Sequence, residues 1–119
     1  MRSGEYRDYI EDMTGSIRDI EIFIKGMDFS SFVKDKKTVN AVLRSLEIMG
    51  EAAKKVPTDF REKYKQVDWK GMAGMRDRLI HEYDTVDYDA VWKVVTKEVP
   101  PLRQQIEKII RTESASDKN

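Results

Sequence analysis

The sequence predicts an all-α fold, a bundle of four main helices joined by short helical segments. Apolar residues recur at three- and four-residue steps over long stretches, which is the period of a helix with one buried face. No alternation of apolar and polar residues lasts beyond a few positions, so strands are not expected. We expect one helical domain over residues 1–112 and a polar, disordered tail over 113–119.

The first half of the chain predicts two long helices. The first runs from about Glu5 to Lys25 and stops at Gly26. The second runs from about residue 36 to 55 and ends at Pro57. Residues 28–32 between them are predicted to form a turn with one helical turn, capped by Asp28 or Ser30, with both phenylalanines inward. Small residues in the second helix allow a neighbouring helix to approach closely; they are Gly50, Ala52 and Ala53.

The second half predicts a short helix, a central helix and a long last helix. Thr58 is the expected cap of a short helix through Lys65, and Asp68 or Trp69 begins the central helix. Asp87 is the expected N-cap of the last helix. We expect a kink or break in that helix at residues 100–101, because two successive prolines remove backbone donors and clash with the preceding turn.

Composition excludes several classes of function. The 22 basic and 22 acidic residues cancel, so any binding of RNA or phosphate has to come from a local patch. The absence of cysteine excludes disulfides and cysteine-ligated zinc, and a single histidine argues against a transition-metal site, so we expect neither metal nor cofactor. No apolar run is long enough to span a membrane and no secretion signal is recognisable, so we expect a cytoplasmic protein with no membrane partner.

The stretch Met75–Tyr83 contains the only histidine and the densest group of reactive side chains. Drawn as a helix, it places Tyr83 on the apolar stripe and His81 on the opposite, outward side, beside Asp77 and Arg78. Arg76 lies beside the stripe, about 140° from His81. Arg76 and His81 therefore converge only if the arginine side chain wraps round or a second surface completes the site.

These residue types suit RNA cleavage by the neighbouring 2′-hydroxyl. His81 can transfer protons near neutral pH, Arg76 can stabilise the charge on a phosphorus-centred transition state, and Asp77 can hold the imidazole ring. The alternative is an ordinary solvated face with local charge pairs. In that case Arg76 pairs with Glu47 or Glu51, and Tyr83 is a core residue.

Four residues separate Arg76 from His81, and one residue separates His81 from Tyr83. This spacing resembles the motif of HepT-like toxins of the HEPN superfamily. The resemblance extends in order over about residues 6–110, through residues 9–12, 46–54, 69–81 and 91–92. It implies a HEPN-like homodimer and a metal-independent endoribonuclease. Arg76 and His81 would then be catalytic with Asp77 in support, and Arg78 and Lys70 would add positive charge for RNA at the dimer cleft.

The resemblance also implies a type VII-like toxin–antitoxin module. The partner would be a MntA-like minimal nucleotidyltransferase that neutralises the toxin by transferring AMP to Tyr83. Glu82 departs from the family pattern, in which a small residue such as glycine often stands between the histidine and the tyrosine. Two alternatives remain open: a non-catalytic helical adaptor for a nucleotidyltransferase, and a nucleotide-binding partner subunit of such an enzyme.

Overall fold

The computed structural model describes residues 3–117, with side chains over residues 6–116, and this part of the chain is helical almost throughout. The helices are α1 (Ser3–Ile24), α2 (Phe29–Lys34), α3 (Lys36–Lys55), α4 (Thr58–Lys63), α5 (Trp69–Ala73), α6 (Met75–Leu79), α7 (Tyr88–Lys93) and α8 (Val99–Asp117). A 3-10 turn spans Glu82–Asp84 and a π-helical turn spans Val94–Glu98. Over the described residues, the only β-type pairing is one isolated bridge between Ile80 and Val86. The predicted all-α bundle is confirmed.

The long helices α1 and α3 pack along each other and contribute much of the core. Gly26 follows α1 with a φ of +77°, which glycine adopts without steric cost, so the predicted stop is confirmed. Asp28 caps α2 through the backbone N–H of Ser31, also as predicted. Of the two phenylalanines expected to point inward, Phe32 is fully buried, whereas Phe29 remains partly exposed.

The middle of the chain differs from the prediction at two places. Thr58 is the first residue of α4 rather than its cap, and α4 ends at Lys63 rather than Lys65. Asp68 caps α5 through the N–H of Gly71, as expected. The central helix then breaks at Gly74 and ends at Leu79, so the prediction of a continuous helix through Tyr83 is wrong.

The last helical segment is interrupted close to the prolines. Asp87 caps α7 through the N–H of Ala90, which confirms that prediction. The N–H of Val99 bonds to the carbonyl of Val94, five residues back, and α8 then begins with Pro100 and Pro101 in its first turn. Prolines are tolerated there because the first N–H groups of a helix have no partner within it.

The predicted polar tail is wrong for residues 113–117, because α8 continues through Asp117. Glu113 is only 4% exposed, and its carboxylate accepts hydrogen bonds from Lys63 Nζ at 2.7 Å and from the hydroxyl of Tyr64. These long-range bonds to the end of α4 hold the last turns of α8 on the bundle. Residues 118 and 119 lie outside the described part of the chain.

Candidate active site

A tight loop over residues 80–87, the motif loop, follows α6 and carries His81 and Tyr83 of the motif. Its ends are joined by the bridge between Ile80 and Val86, by the N–H of His81 bonded to the carbonyl of Thr85 at 2.8 Å, and by the N–H of Asp87 bonded to the carbonyl of Leu79 at 2.8 Å. Because Leu79 accepts from Asp87, the chain leaves the helix there and His81 lies in extended backbone. The helical-wheel placement of His81 is therefore wrong, although its outward exposure is confirmed.

The tip of this loop has an unusual backbone conformation. Tyr83 and Asp84 have φ values of +57° and +58°, in the left-handed region that costs residues other than glycine about 1–2 kcal/mol each. Tyr83 is 99% exposed, so the expectation that it could be a core tyrosine is wrong. Its phenol projects from the loop with full access from solvent.

His81 has a carboxylate neighbour, but it is Asp87. His81 Nε2 lies 3.5 Å from Asp87 Oδ2, while Asp87 Oδ1 accepts from the N–H of Ala90. The hydrogen bond from Ala90, followed by that from His81, lowers the pKa of Asp87 below its ordinary value. The sequence indicated Asp87 only as a helix cap, and its proximity to His81 depends on the loop closure.

Asp77, the predicted support for His81, lies elsewhere. Within the described residues it makes no hydrogen bond to His81, and it borders a small cavity with Glu51 and Lys54 of α3. Because α6 ends at Leu79, the i, i+4 geometry that would have brought Asp77 to the histidine is lost.

Arg76 is on α6 and reaches towards the loop. Its Nη2 lies 3.4 Å from Asp84 Oδ1, and both side chains are more than half exposed. The partners considered from the sequence are engaged elsewhere, Glu47 with Arg44 at 2.7 Å and Glu51 with Lys54 at 3.1 Å. Arg76 and His81 are thus both exposed. Arg76 contacts Asp84, and His81 contacts Asp87.

The two residues predicted to add positive charge are placed differently. Arg78 forms a two-pronged ion pair with Glu98 of the π-helical turn, with Nη1 at 2.9 Å from Oε1. That hydrogen bonding raises the pKa of Arg78, which stays charged but has its charge compensated. Lys70 is exposed on α5 and borders a shallow depression formed with α4, separate from the cavity beside Arg76.

The loop and the first turn of α7 are acidic. Residues 82–89 contain Glu82, Asp84, Asp87 and Asp89 and no basic residue. Within the described residues, no group of three or more histidine, aspartate or glutamate side chains is arranged to hold a metal ion. No helix in the same part of the chain is long and apolar enough to cross a membrane.

Comparison with known proteins identifies the family. A family model described as ribonuclease HepT-like matches residues 13–109. A Methanocaldococcus jannaschii protein provisionally named an RNase is 44% identical over 119 residues, covering all of this chain and 98% of the relative. A provisionally named RNase of Caldanaerobacter subterraneus is 45% identical over 107 residues, covering 90% of this chain and 96% of the relative.

A provisionally named ribonuclease HepT of Thermococcus cleftensis is 44% identical over 104 residues, covering 87% of this chain and 94% of the relative. No solved structure gives a significant match. The helical bundle and these matches agree with one another. The chain therefore belongs to the HepT-like ribonuclease family, and its enzyme class is endoribonuclease.

Proposed function

We propose that this protein is the toxin of a toxin–antitoxin pair, a cytoplasmic endoribonuclease that uses Arg76 and His81 and needs no metal ion. The observation that carries the proposal is that both side chains are exposed, Arg76 on α6 and His81 in the loop that follows it. Their respective neighbours are Asp84 and Asp87. Family membership supports the ribonuclease activity. The toxin role, the residue assignments and the partners are parts of the proposal.

The reaction is cleavage of RNA by its own 2′-hydroxyl. His81 takes the proton of that hydroxyl as its oxygen forms a bond to the adjacent phosphorus, and the bond from phosphorus to the 5′ oxygen breaks. Arg76 donates hydrogen bonds to the phosphate oxygens, where negative charge accumulates in the transition state. The products are a 2′,3′-cyclic phosphate and a free 5′-hydroxyl.

The 5′ oxygen needs a proton as it leaves, and one His81 cannot be both base and acid in the same step. We assign this proton to the protonated His81 of a second protomer, across a cleft in which two motif segments face each other. A two-fold interface would also bring two copies of Arg76 together, which would offset the acidic loops near the RNA phosphate. The proposed active form is accordingly a homodimer.

Neutralisation is proposed to occur at Tyr83. A minimal nucleotidyltransferase would direct the Tyr83 hydroxyl to the α-phosphorus of ATP, forming a bond between the tyrosine oxygen and phosphorus while pyrophosphate leaves and the hydroxyl proton passes to a base. The 99% exposure of Tyr83 supports this assignment, because a partner enzyme needs free access to the phenol. The added phosphate would repel RNA and compete for Arg76.

The test is RNA cleavage by purified protein in excess chelator, after mass analysis has shown that the Tyr83 peptide carries no AMP. We expect 2′,3′-cyclic phosphate ends from the wild type and a loss of about a hundredfold or more in His81→Ala and Arg76→Ala. Full activity of His81→Ala would overturn the assigned chemistry. Dependence on an added metal ion would overturn the metal-free mechanism.

A second candidate is favoured by the acidic loop. Four carboxylates over residues 82–89 would repel RNA, and Arg76 already contacts one of them. On this alternative the chain is a non-catalytic adaptor, and its motif loop is a docking or modification site for a nucleotidyltransferase. Expression in bacteria separates the two candidates. Equal toxicity of the wild type and Arg76→Ala, together with no cleavage by the free protein, would favour the adaptor.

A further inference from the structure

We infer that the groove between α3 and α6, beside Arg76, is a nucleotide subsite for single-stranded RNA. An unstacked base would lie on the apolar floor of the groove, and Asn40 would contact the hydrogen-bonding edge of that base. This inference rests on the proposed function, because it concerns the nucleotide next to the phosphate held by Arg76. It adds a substrate class and a residue that sets base preference.

The groove has the character of a ligand site. A cavity of about 210 Å³ opens between the two helices, directly beside Arg76. Its floor consists of apolar side chains, namely Leu43, Leu46, Met75, Leu79 and Ile80. Its rim is polar, formed by Asn40, Arg44, Glu47 and Arg76. Apolar walls with a few convergent polar groups are typical of sites that bind small planar groups.

Arg76 connects this groove to the proposed chemistry. The same side chain that would bind the reacting phosphate forms part of the cavity wall, so the nucleotide attached to that phosphate lies next to the groove. Its contact with Asp84 is long, at 3.4 Å, and exposed. Exposed ion pairs of this kind contribute little, so a phosphate can replace the carboxylate without a large loss.

Asn40 is suited to reading a base. It is an exposed residue inside α3, and within the described residues its amide has no hydrogen-bond partner. Asparagine is a weaker helix former than alanine, lysine or glutamate, so folding of α3 does not explain its presence there. An amide offers two donors and an acceptor and can form paired hydrogen bonds with a base edge.

Charge also favours this path for the RNA. Arg44 lies one helical turn after Asn40 and is 69% exposed, so its guanidinium plane is available to a phosphate or a base face despite its pair with Glu47. The rim of the groove has two arginines and one glutamate, Glu47, and so a net positive charge, whereas the charged residues over 82–89 are all acidic. An RNA strand that enters along the groove meets cations and avoids the loop carboxylates.

The experiment measures binding of the four ribonucleoside 3′-monophosphates and of inorganic phosphate to wild type, Asn40→Ala and Asn40→Asp. The control is Gln104→Glu, which converts an exposed amide on α8 to a carboxylate outside the groove. The same four proteins are then given a random RNA pool, and the cleaved sites are sequenced.

We expect at least one nucleotide to bind about tenfold or more tightly than phosphate alone. In both Asn40 variants, the ratio of nucleotide affinity to phosphate affinity should fall at least about fivefold. Gln104→Glu should retain it. The inference is overturned if every nucleotide binds like phosphate, as it would if a second copy of the chain covered the groove. It is also overturned if Asn40→Ala binds the four nucleotides in the same order of affinity as the wild type.

The two proposals fail in different ways. Nucleotide binding that depends on Asn40, without RNA cleavage by the wild type, would remove the proposed function and leave the subsite. Cleavage that depends on His81, with the same sequenced sites in wild type and Asn40→Ala, would remove the subsite and leave the ribonuclease. Each result is read independently of the other.

Discussion

In the proposed mechanism, the chemistry of His81 depends on its contact with Asp87. The carboxylate of Asp87, whose pKa is lowered below its ordinary value, is charged at neutral pH, so it can accept a hydrogen bond from an imidazole that donates through Nε2. A neutral ring held in this tautomer presents Nδ1 as the acceptor, which is the form required of a base. We therefore propose that Asp87, six residues after the histidine, positions the ring of His81.

Asp87→Asn should separate this role from the capping of α7. Asparagine keeps an oxygen that can accept from Ala90, so the helix end is retained, but the charge facing His81 is removed. We expect RNA cleavage to fall about tenfold, since an amide in place of the carboxylate no longer accepts a hydrogen bond from His81 and no longer holds its ring. The measurement is the cleavage rate across pH 5–9, a range of roughly two units either side of neutrality.

Asp35→Asn is the matched control, because Asp35 also caps a helix, has a lowered pKa and lies outside the motif loop. It should leave the cleavage rate unchanged over the same pH range. If both variants reduced cleavage equally, the effect would come from helix capping and the positioning role of Asp87 would be wrong.

Periodicity predicted the helices whose bounds depend on local sequence. The bounds of α3 agree with its prediction and α1 differs by one or two residues, because both have an uninterrupted apolar stripe and clear stop signals in Gly26 and Pro57. The end of α6 was missed because it depends on the hydrogen bond from Asp87 to Leu79, which forms only when α7 packs against α6. Motif spacing singled out Arg76, His81 and Tyr83 as candidate site residues but could not give their neighbours in the fold.

The crossing of α3 and α5 depends on Gly50. A Cβ added at this position would lie 2.7 Å from the backbone oxygen of Met72, which cannot move without shifting α5. Gly50→Ala should therefore lower the free energy of unfolding by about 1–3 kcal/mol, measured by urea denaturation. This result would extend the prediction that small residues in α3 permit close approach.

Gly15→Ala tests the same substitution without the contact. An added Cβ at Gly15, inside α1, would meet nothing within 4 Å, so alanine should stabilise the protein by up to about 1 kcal/mol through its higher helix propensity. If Gly50→Ala were as stable as Gly15→Ala, the close packing of α3 against α5 would be incorrect.

The end of α8 should make stability depend on pH. Burial acts to raise the pKa of Glu113, but the hydrogen bonds from Lys63 and Tyr64 outweigh it, and the pKa is lowered below the ordinary 4.5. The stabilisation is therefore complete above about pH 4.5 and is lost as the pH falls through the lower folded value. Glu113→Gln should cost about 1–3 kcal/mol at neutral pH and flatten this acid dependence in urea titrations.

Glu107→Gln is the comparison for Glu113. Glu107 pairs with Arg103 on the surface of the same helix, at 3.0 Å, and exposed pairs of this kind contribute little. Its loss should change the unfolding free energy by less than about 0.5 kcal/mol. Equal effects of the two substitutions would show that Glu113 does not hold α8 on the bundle.

The charge of the protein is a difficulty for RNA binding. A chain of zero net charge with an acidic motif loop has no long-range attraction for RNA, so its affinity has to come from few contacts close together. Pairing two motif segments across a two-fold axis would double the local cations without adding residues to the chain. The proposed homodimer would thus supply both the extra cations that RNA binding needs and the second His81 that the two proton transfers need.

Mixing experiments test whether both protomers build each site. Wild type and His81→Ala are unfolded, refolded together at set ratios and assayed at constant total protein. If each cleft needs His81 from both protomers, activity should follow the square of the wild-type fraction, so an equal mixture retains about a quarter. A linear dependence, with about half the activity retained, would show that each site needs His81 from only one protomer, and the assignment of both proton transfers to two copies of His81 would be wrong.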